Sequence, residues 1–293
     1  MRIAVFGGRG FIGKEFVKNA FPEHELFLFN RPEADVRRPE TFSERLKEVR
    51  PDVVVNFSAL IGTLLSSPSV REMFDVNTSG SLNVAYVARE AGARAYIFIS
   101  STVVHGENKK GEHHGRFSGF APKHPYSASK AAAEFALQQF ANEQKSMTIV
   151  TLRPPMVIGE GAKIPLPPIE FVKNVLQDKE IQIFGEGLHE REYVSVADIA
   201  LGIWKAVLWG VTAPKGYHPF FLTGNRISMR DLAEKVVKKF GGKVTYVPST
   251  KQAFSLTTDP FETKQAFGWE VRDDLDSILL DVARYAFLSK QQA

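Results

Sequence analysis

The chain has 293 residues, 44% apolar and 24% charged, the composition of an ordinary globular protein with material for a sizeable core. Its 37 lysines and arginines against 33 aspartates and glutamates leave a net charge of +4, too little to predict a nucleic-acid or anionic-membrane partner. Cysteine is absent, which excludes disulfides, thiolate-bound metals and a thiol nucleophile, and no apolar run is long enough for a signal peptide or a membrane span, so a cytoplasmic protein is expected.

Residues 3–6 form a short apolar run meeting Gly7-Gly8, which predicts a buried strand entering a turn. Residues 11–20 have helical spacing, and 26–29 read as a second strand. Residues 41–49 predict a helix capped by Thr41, with Glu44 at the capping-box position. A third strand over 52–57, one long helix over 70–91, a strand over 95–99, a helix over 127–142 and a strand over 147–152 follow. These strands are continuously apolar, as in a parallel sheet covered on both faces. Their alternation with helices predicts a doubly wound α/β domain over residues 1–155. Pro154, Pro155, Pro165, Pro167 and Pro168 then interrupt the alternation. Helices near 168–178, 196–209, 228–240 and 273–288 and a strand near 243–247 predict a smaller mixed α/β domain over 156–293, parts of which return to the first sheet.

Gly7, Gly10 and Gly13 stand between the first strand and the first helix in Gly-x-x-Gly-x-x-Gly spacing. Glycines let the backbone turn tightly and approach a pyrophosphate, which rests on the helix amino terminus. The segment Gly7, Arg9, Gly10, Phe11, Ile12 and Gly13 is therefore a candidate dinucleotide site. Tyr126 and Lys130, in Tyr-x-x-x-Lys spacing at the start of an alanine-rich helix, share one helix face. An ammonium near a phenol favours phenolate, so Tyr126 is a candidate acid/base for a carbonyl that exchanges hydride on its other side. Ser100, Ser101 and Thr102 follow the strand over 95–99, at the end of the sheet where open α/β folds bind ligands, and a hydroxyl there is placed for the substrate oxygen. His105, His113, His114 and His124 lie in a Gly- and Lys-rich loop with no His-Glu-x-x-His helix, which predicts a mobile substrate-side loop and no metal site. The basic tract from Lys109-Lys110 to Arg116 reads as a solvated face.

Together these motifs resemble the extended short-chain dehydrogenase/reductase family, in its nucleotide-sugar epimerase, dehydratase and reductase branch. The resemblance spans nearly the whole chain. Besides the glycine loop it rests on Ala34-Asp35-Val36, Asn77-Thr78-Ser79-Gly80, Ser100-Ser101-Thr102-Val103-Val104-His105-Gly106 and Tyr126 to Lys130. It continues through Leu152-Arg153-Pro154-Pro155-Met156-Val157-Ile158-Gly159 and Phe184-Gly185-Glu186-Gly187, then Arg191-Glu192-Tyr193-Val194-Ser195-Val196-Ala197-Asp198. It implies a Rossmann sheet with Tyr126 as acid/base, Lys130 holding the nicotinamide ribose and Ser101 binding the reacting oxygen. It further implies Asp35 and Val36 at the adenine, Ala59 along the cofactor, Thr102 at the substrate, Arg191 on a nucleotide phosphate, and a homodimer formed through the helix that carries Tyr126. Three departures stand out. Met156 replaces an asparagine common in epimerases, His105 replaces a tyrosine, and no glutamate follows Thr102, which argues against 4,6-dehydration.

The second strand runs into Asn30-Arg31, with no carboxylate before Glu33. A carboxylate at that point accepts the ribose hydroxyls of NAD and repels a 2′-phosphate. Its absence, with Arg9 and Arg31 nearby, predicts NADP(H) in preference to NAD(H), as in the reductases of the dTDP-4-dehydrorhamnose reductase and GDP-fucose synthase types. The expected reaction is reduction of a keto group on a nucleotide-diphosphate sugar. An NAD-dependent 4-epimerase and reduction of a non-nucleotide ketone are the enzymatic alternatives. A non-catalytic nucleotide-sensing regulator is the alternative of another class, and the intact Ser101, Tyr126 and Lys130 count against it.

Overall fold

The computed structural model describes residues 1–62, 68–108, 111–162, 164–250 and 254–291; Lys109 and Lys110 lie outside these. The first half alternates β1 (Arg2–Phe6), α1 (Phe11–Lys18), β2 (Glu25–Phe29), α2 (Ser43–Val49), β3 (Val53–Asn56), α3 (Val70–Phe74), α4 (Gly80–Glu90), β4 (Ala95–Ile99), α5 (Pro125–Glu143) and β5 (Thr148–Arg153). Then come β6 (Met156–Ile158), α6 (Pro167–Val175), β7 (Ile181–Phe184), β8 (Glu190–Ser195), α7 (Val196–Thr212), β9 (Gly216–Phe221), β10 (Asn225–Ser228), α8 (Met229–Phe240), β11 (Val244–Val247), α9 (Phe261–Phe267) and α10 (Leu275–Gln291).

Six strands pair in the order β2-β1-β3-β4-β5-β9, every neighbouring pair parallel. The central strands are buried along their length, which explains their unbroken apolar sequence. Leu46, Val84, Ala133 and Leu137 from α2, α4 and α5 pack with Phe6 and Phe98 on one face. Phe16 of α1 and Trp204 of α7 stack at 4.4 Å on the other, among Val55, Ile97 and Leu152. The fold is thus the doubly wound parallel α/β sheet that the strand–helix alternation predicts. The chain goes from β1 to β2 on one side and then crosses to β3 on the other, so the topological switch point falls between β1 and β3.

A second layer is built by the three-stranded sheet β10-β8-β6, the two-stranded sheet β11-β7 and helices α6, α8 and α10, around Tyr193, Leu232, Val236 and Leu279. Strands without a continuous apolar run escape a reading by pattern. In the second layer β8 begins Glu-Arg-Glu and β10 reads Asn-Arg-Ile-Ser, and in the parallel sheet β9 contains His218 and Pro219.

Two further expectations are corrected. Pro39 opens a 3-10 turn over Pro39–Thr41, so Thr41 does not cap α2; its hydroxyl accepts from Asp35 N at 3.0 Å and donates to Arg38 O at 2.7 Å. The long helical stretch over 70–91 runs unbroken from Val70 to Glu90, with a π-helical turn at Asp75–Ser79 within it. Arg116 is not a solvated residue: its Nε donates to Pro219 O at 2.8 Å and its guanidinium lies 4.3 Å over the Phe220 ring.

Candidate active site

At the end of β1 the chain turns through Gly7, whose φ of +72° suits glycine alone among common residues. A β-carbon there would stand 3.0 Å from Ser58 N, the backbone that continues β3 across the switch point. At Gly13 it would meet Gly7 O at 2.5 Å, so the loop closes onto α1 only because both positions lack a side chain. Gly10 precedes α1 with no side-chain cap, which leaves the first-turn N–H groups directed at the crevice. Gly10 and Gly13 border a cavity of about 640 Å³ that runs from Gly10, Phe11, Ile12 and Gly13 past Ala59 to Ser101, Thr102, Tyr126 and Lys130, and on to Met156, Arg191 and Leu256.

The wall after β3 is fixed by Asn77, which sits in the π-helical turn. Its amide imitates a strand: Oδ1 accepts from Leu60 N at 2.7 Å, and Nδ2 donates to Leu60 O and to Ser129 Oγ, both at 2.9 Å. Asn77 thereby ties the Ala59–Leu60 backbone to α5. Asn56, buried at the end of β3, is held by Tyr96 Oη at 2.9 Å and accepts from Ser58 N at 2.9 Å. Neither asparagine has a role assigned from the sequence; the signal for Asn56 is an amide at the end of an apolar run, and for Asn77 its place in Asn77-Thr78-Ser79-Gly80.

Helix α5 carries Tyr126 and Lys130. Pro125 starts it, and His124 caps it by accepting from Ser127 N at 3.2 Å, so His124 is a structural cap and not part of a moving loop. The Tyr126 phenol hydrogen bonds Ser101, and burial pushes its pKa up to about 12. Lys130 Nζ donates to Ile99 O at 2.7 Å and lies 4.6 Å from the Phe98 ring centroid. Burial pushes its ammonium down to about 7, and the Glu134 carboxylate one turn further on acts against that. Ser101 turns out of β4 in extended backbone and caps the short 3-10 turn Thr102–Val104, in which Thr102 N donates to Pro154 O at 3.1 Å. His105 is buried against His114, Phe120 and Phe221, and its Nδ1 donates to Gly119 O at 3.0 Å; burial holds it down to about 4, in its neutral form.

The loop carrying His113 and His114 is tied to the segment 254–259. His114 N donates to Thr257 O and Asp259 N to His114 O, both at 3.0 Å, while His113 Nδ1 lies 2.7 Å from Thr257 Oγ1. Among the described residues there is no cluster of His, Asp and Glu able to hold a metal ion, and no helix is long and apolar enough to cross a membrane.

The remaining candidates lie at the rim. Arg9 N donates to Asn30 Oδ1 at 3.1 Å, linking the glycine loop to the end of β2, and the Arg9 and Arg31 side chains are exposed. Asp35 is buried, and both its oxygens accept from Arg37, whose ion pair holds the carboxyl down to about 2. Val36 is buried against Gly80, where a β-carbon would come within 2.6 Å of it. Gly7, Arg9, Asn30, Arg31, Asp35 and Val36 are not among the residues lining the cavity; Arg191 is, with its guanidinium donating to Glu190 O at 2.9 Å and to Phe254 O.

A glycine-turned switch point and a Ser–Tyr–Lys group in one cleft define an extended short-chain dehydrogenase/reductase. Residues 3–218 match the model of the NAD dependent epimerase/dehydratase family, and the chain belongs to that family. It is 26% identical to the UDP-glucose 4-epimerase of Neisseria meningitidis serogroup B, over 97% of this chain and 96% of that one. Its fold superposes, at 22% identity and a TM-score of 0.85, on a UDP-glucose-4-epimerase from Stenotrophomonas maltophila with bound NAD and formylated UDP-arabinopyranose, covering 100% of both chains. It also superposes on a dTDP-glucose 4,6-dehydratase from Bacillus anthracis in complex with NAD, at 20% identity and a TM-score of 0.82 over 99% and 98% of the two chains.

Proposed function

We propose that this enzyme uses a nicotinamide dinucleotide to interconvert hydroxyl epimers of a nucleotide-linked sugar at one carbon. The observation that carries the proposal is the supply of proton-transfer groups. Tyr126 is the phenol in the cavity lining; the histidine there, His124, spends Nδ1 on the Ser127 N–H, and the one carboxylate among its described lining residues, Glu192, has both oxygens bonded to Thr258. One acid/base suits chemistry at one carbinol carbon; elimination of water elsewhere on the sugar needs a second. The family match and the epimerase relatives support the same reading.

The residues fit the dinucleotide. The bare backbone of Gly7 and Gly13 makes the room a pyrophosphate needs, and the uncapped start of α1 offers N–H groups to it. A bound nicotinamide would supply a reversible hydride acceptor for the carbinol carbon. Tyr126 Oη takes the hydroxyl proton as the hydride leaves and returns it when the hydride is delivered to the other face. Ser101 holds the same oxygen. The Ser101 hydrogen bond draws the phenol down against the burial that raises it, and Lys130, one turn from Tyr126, adds positive charge to the same end when protonated. Arg191 binds a phosphate of the nucleotide at the far end of the cavity. The reading includes division near residue 155 into dinucleotide and substrate halves, a homodimer through α5 on which Phe135 is exposed, and a cytoplasmic location.

The second reading is an NADPH-dependent reductase of a nucleotide-sugar ketone. The end of β2 favours it, since Asn30 and Arg31 stand where a ribose-binding carboxylate would. Incubating the purified protein with UDP- and dTDP-hexoses separates the two. Epimer formed without net change in the reduced-nicotinamide absorbance supports the first. Stoichiometric consumption of NADPH with a keto sugar moves the assignment to the second. Neither, with dinucleotide still bound, returns the chain to the class of non-catalytic regulators.

A further inference from the structure

The segment 254–259 crosses the substrate end of the cavity as a strap, and it is held from both sides. On one side Leu256 N donates to Glu190 O at 3.2 Å and Glu190 N donates to Ser255 Oγ at 3.0 Å. On the other side Asn108 Nδ2 donates to Thr257 O at 3.1 Å and Asn108 Oδ1 accepts from Thr257 N at 2.5 Å. At Glu192 the pairing with β8 changes. Two residues further along β8 the contact with the strap passes from main chain to side chain, opposite Arg226 of β10. The Glu192 side chain takes that place: Oε1 accepts from Thr258 N at 2.8 Å and Oε2 from Thr258 Oγ1 at 2.7 Å. Glu192 is 3% exposed and Thr258 1%, so these bonds are made out of water. The strap's other end bears on Arg191, through the Phe254 carbonyl and through the Phe254 ring, 4.5 Å from the guanidinium carbon.

We propose that Glu192 is a positioning residue: by clamping Thr258 it fixes the strap 254–259 across the cavity, and the strap in turn aims the Arg191 guanidinium at the nucleotide end of the substrate. This rests on the nucleotide-sugar reading above for the identity of the ligand, but the clamp itself does not. A merely structural Glu192 would, when removed, lower stability and active fraction together. A positioning Glu192 loosens one segment and one subsite and leaves the glycine loop alone.

The test uses the full chain and two readouts: amide hydrogen exchange of the strap, followed by mass spectrometry, and the dissociation constant of UDP. In Glu192→Ala the Leu256 and Thr258 amides should exchange faster while α1 keeps its protection. UDP should bind about tenfold more weakly, the scale of one charge-assisted contact. Glu192→Gln should restore both, because its amide oxygen still accepts from Thr258 N and its NH2 can donate to Thr258 Oγ1. Thr258→Val should weaken UDP binding in the same direction, and combined with Glu192→Ala should add little further. NADPH or NADH affinity should stay within about twofold throughout, since the clamp is remote from the glycine loop. Unchanged strap exchange and UDP affinity in Glu192→Ala overturns the proposal, as does a Gln variant no better than Ala. If the wild-type protein binds neither UDP nor dTDP, the nucleotide-sugar reading fails, and the clamp is then judged on strap exchange alone.

Discussion

Glu134 receives the Arg153 guanidinium on both carboxylate oxygens, from Nε at 3.1 and 3.0 Å and from Nη2 at 2.6 Å, one helical turn beyond Lys130. Neither side chain is more than 3% exposed. Ser100 Oγ donates to the same carboxylate at 2.5 Å and Tyr217 Oη at 2.9 Å. The network joins α5 to the ends of β4, β5 and β9, directly behind the Ser101–Tyr126–Lys130 group. A buried pair of this kind is costly to break from one side, because the remaining charge loses its partner. Glu134→Ala should therefore destabilise the fold by roughly 3–5 kcal/mol, measured by urea unfolding. A loss below about 1 kcal/mol would mean that water reaches Arg153 and that the network does not hold the site together.

The Tyr126→Phe variant isolates the proton from the rest of the site. The ring and its packing remain, and Lys130 still donates to Ile99 O. Dinucleotide affinity should be nearly unchanged and turnover should fall ~10²–10⁴-fold, the usual range for losing a general acid/base. Isothermal titration with the dinucleotide and a steady-state assay on the same preparation check both halves. Turnover close to wild type would remove Tyr126 from the chemistry.

Much of this architecture is legible in the sequence because it rests on local signals. The buried strands β1, β3, β4 and β5 are apolar runs, and Gly7 and Gly13 sit at a turn where bare backbone is required. Tyr126 and Lys130 read as a pair because helix spacing alone puts them together. What stays hidden depends on partners distant in sequence. Glu134 reads as one charge in an alanine-rich helix until Arg153, 19 residues on, is brought to it. Glu192 has its partner 66 residues away, and Asn77 fixes Leu60 only because a π-helical turn redirects its amide. Asp35 carries the opposite lesson: the carboxylate expected at the adenine is already closed in an ion pair with Arg37.

Stability should depend on pH through Glu192. Burial pushes its carboxyl from an ordinary 4.5 up to about 7, against the pull of Thr258 and Arg226. Between those two values the folded protein binds a proton that the unfolded chain has released, so this group favours folding most below about 4.5 and loses that contribution as pH rises through about 7. Wild type should thus give up on the order of 1–3 kcal/mol from this group between pH 5 and pH 8. Glu192→Gln has no proton to lose, so its stability should fall less over the same interval. Parallel pH profiles of unfolding free energy for the two proteins would assign the titration elsewhere.

Cofactor choice is decided at the rim where the glycine loop meets β2. Arg9 N is tied to Asn30 Oδ1, which brings Arg9 and Arg31 to the same end of the sheet. Among the described residues neither arginine forms a salt bridge, whereas the neighbouring Asp35 is neutralised by Arg37 and approached by Arg38 at 3.9 Å. The rim therefore presents free guanidinium groups and a carboxylate whose charge is already spent on a partner. A ribose 2′-phosphate finds attraction there, and a ribose 2′-hydroxyl finds no free acidic acceptor. On the reductase reading, NADPH should accordingly bind more tightly than NADH. Each charge-assisted contact contributes roughly 1.5–3 kcal/mol, so one contact already corresponds to about tenfold. Measuring both dissociation constants in wild type and in an Arg9→Ala, Arg31→Ala double variant tests this directly. The double variant should lose NADPH affinity and keep that for NADH, because the pyrophosphate site at Gly7–Gly13 is untouched. Equal affinities in wild type, or a preference that survives the double substitution, would mean that the two arginines stay in solvent and that NAD is the working cofactor, and would thereby favour the epimerase over the reductase.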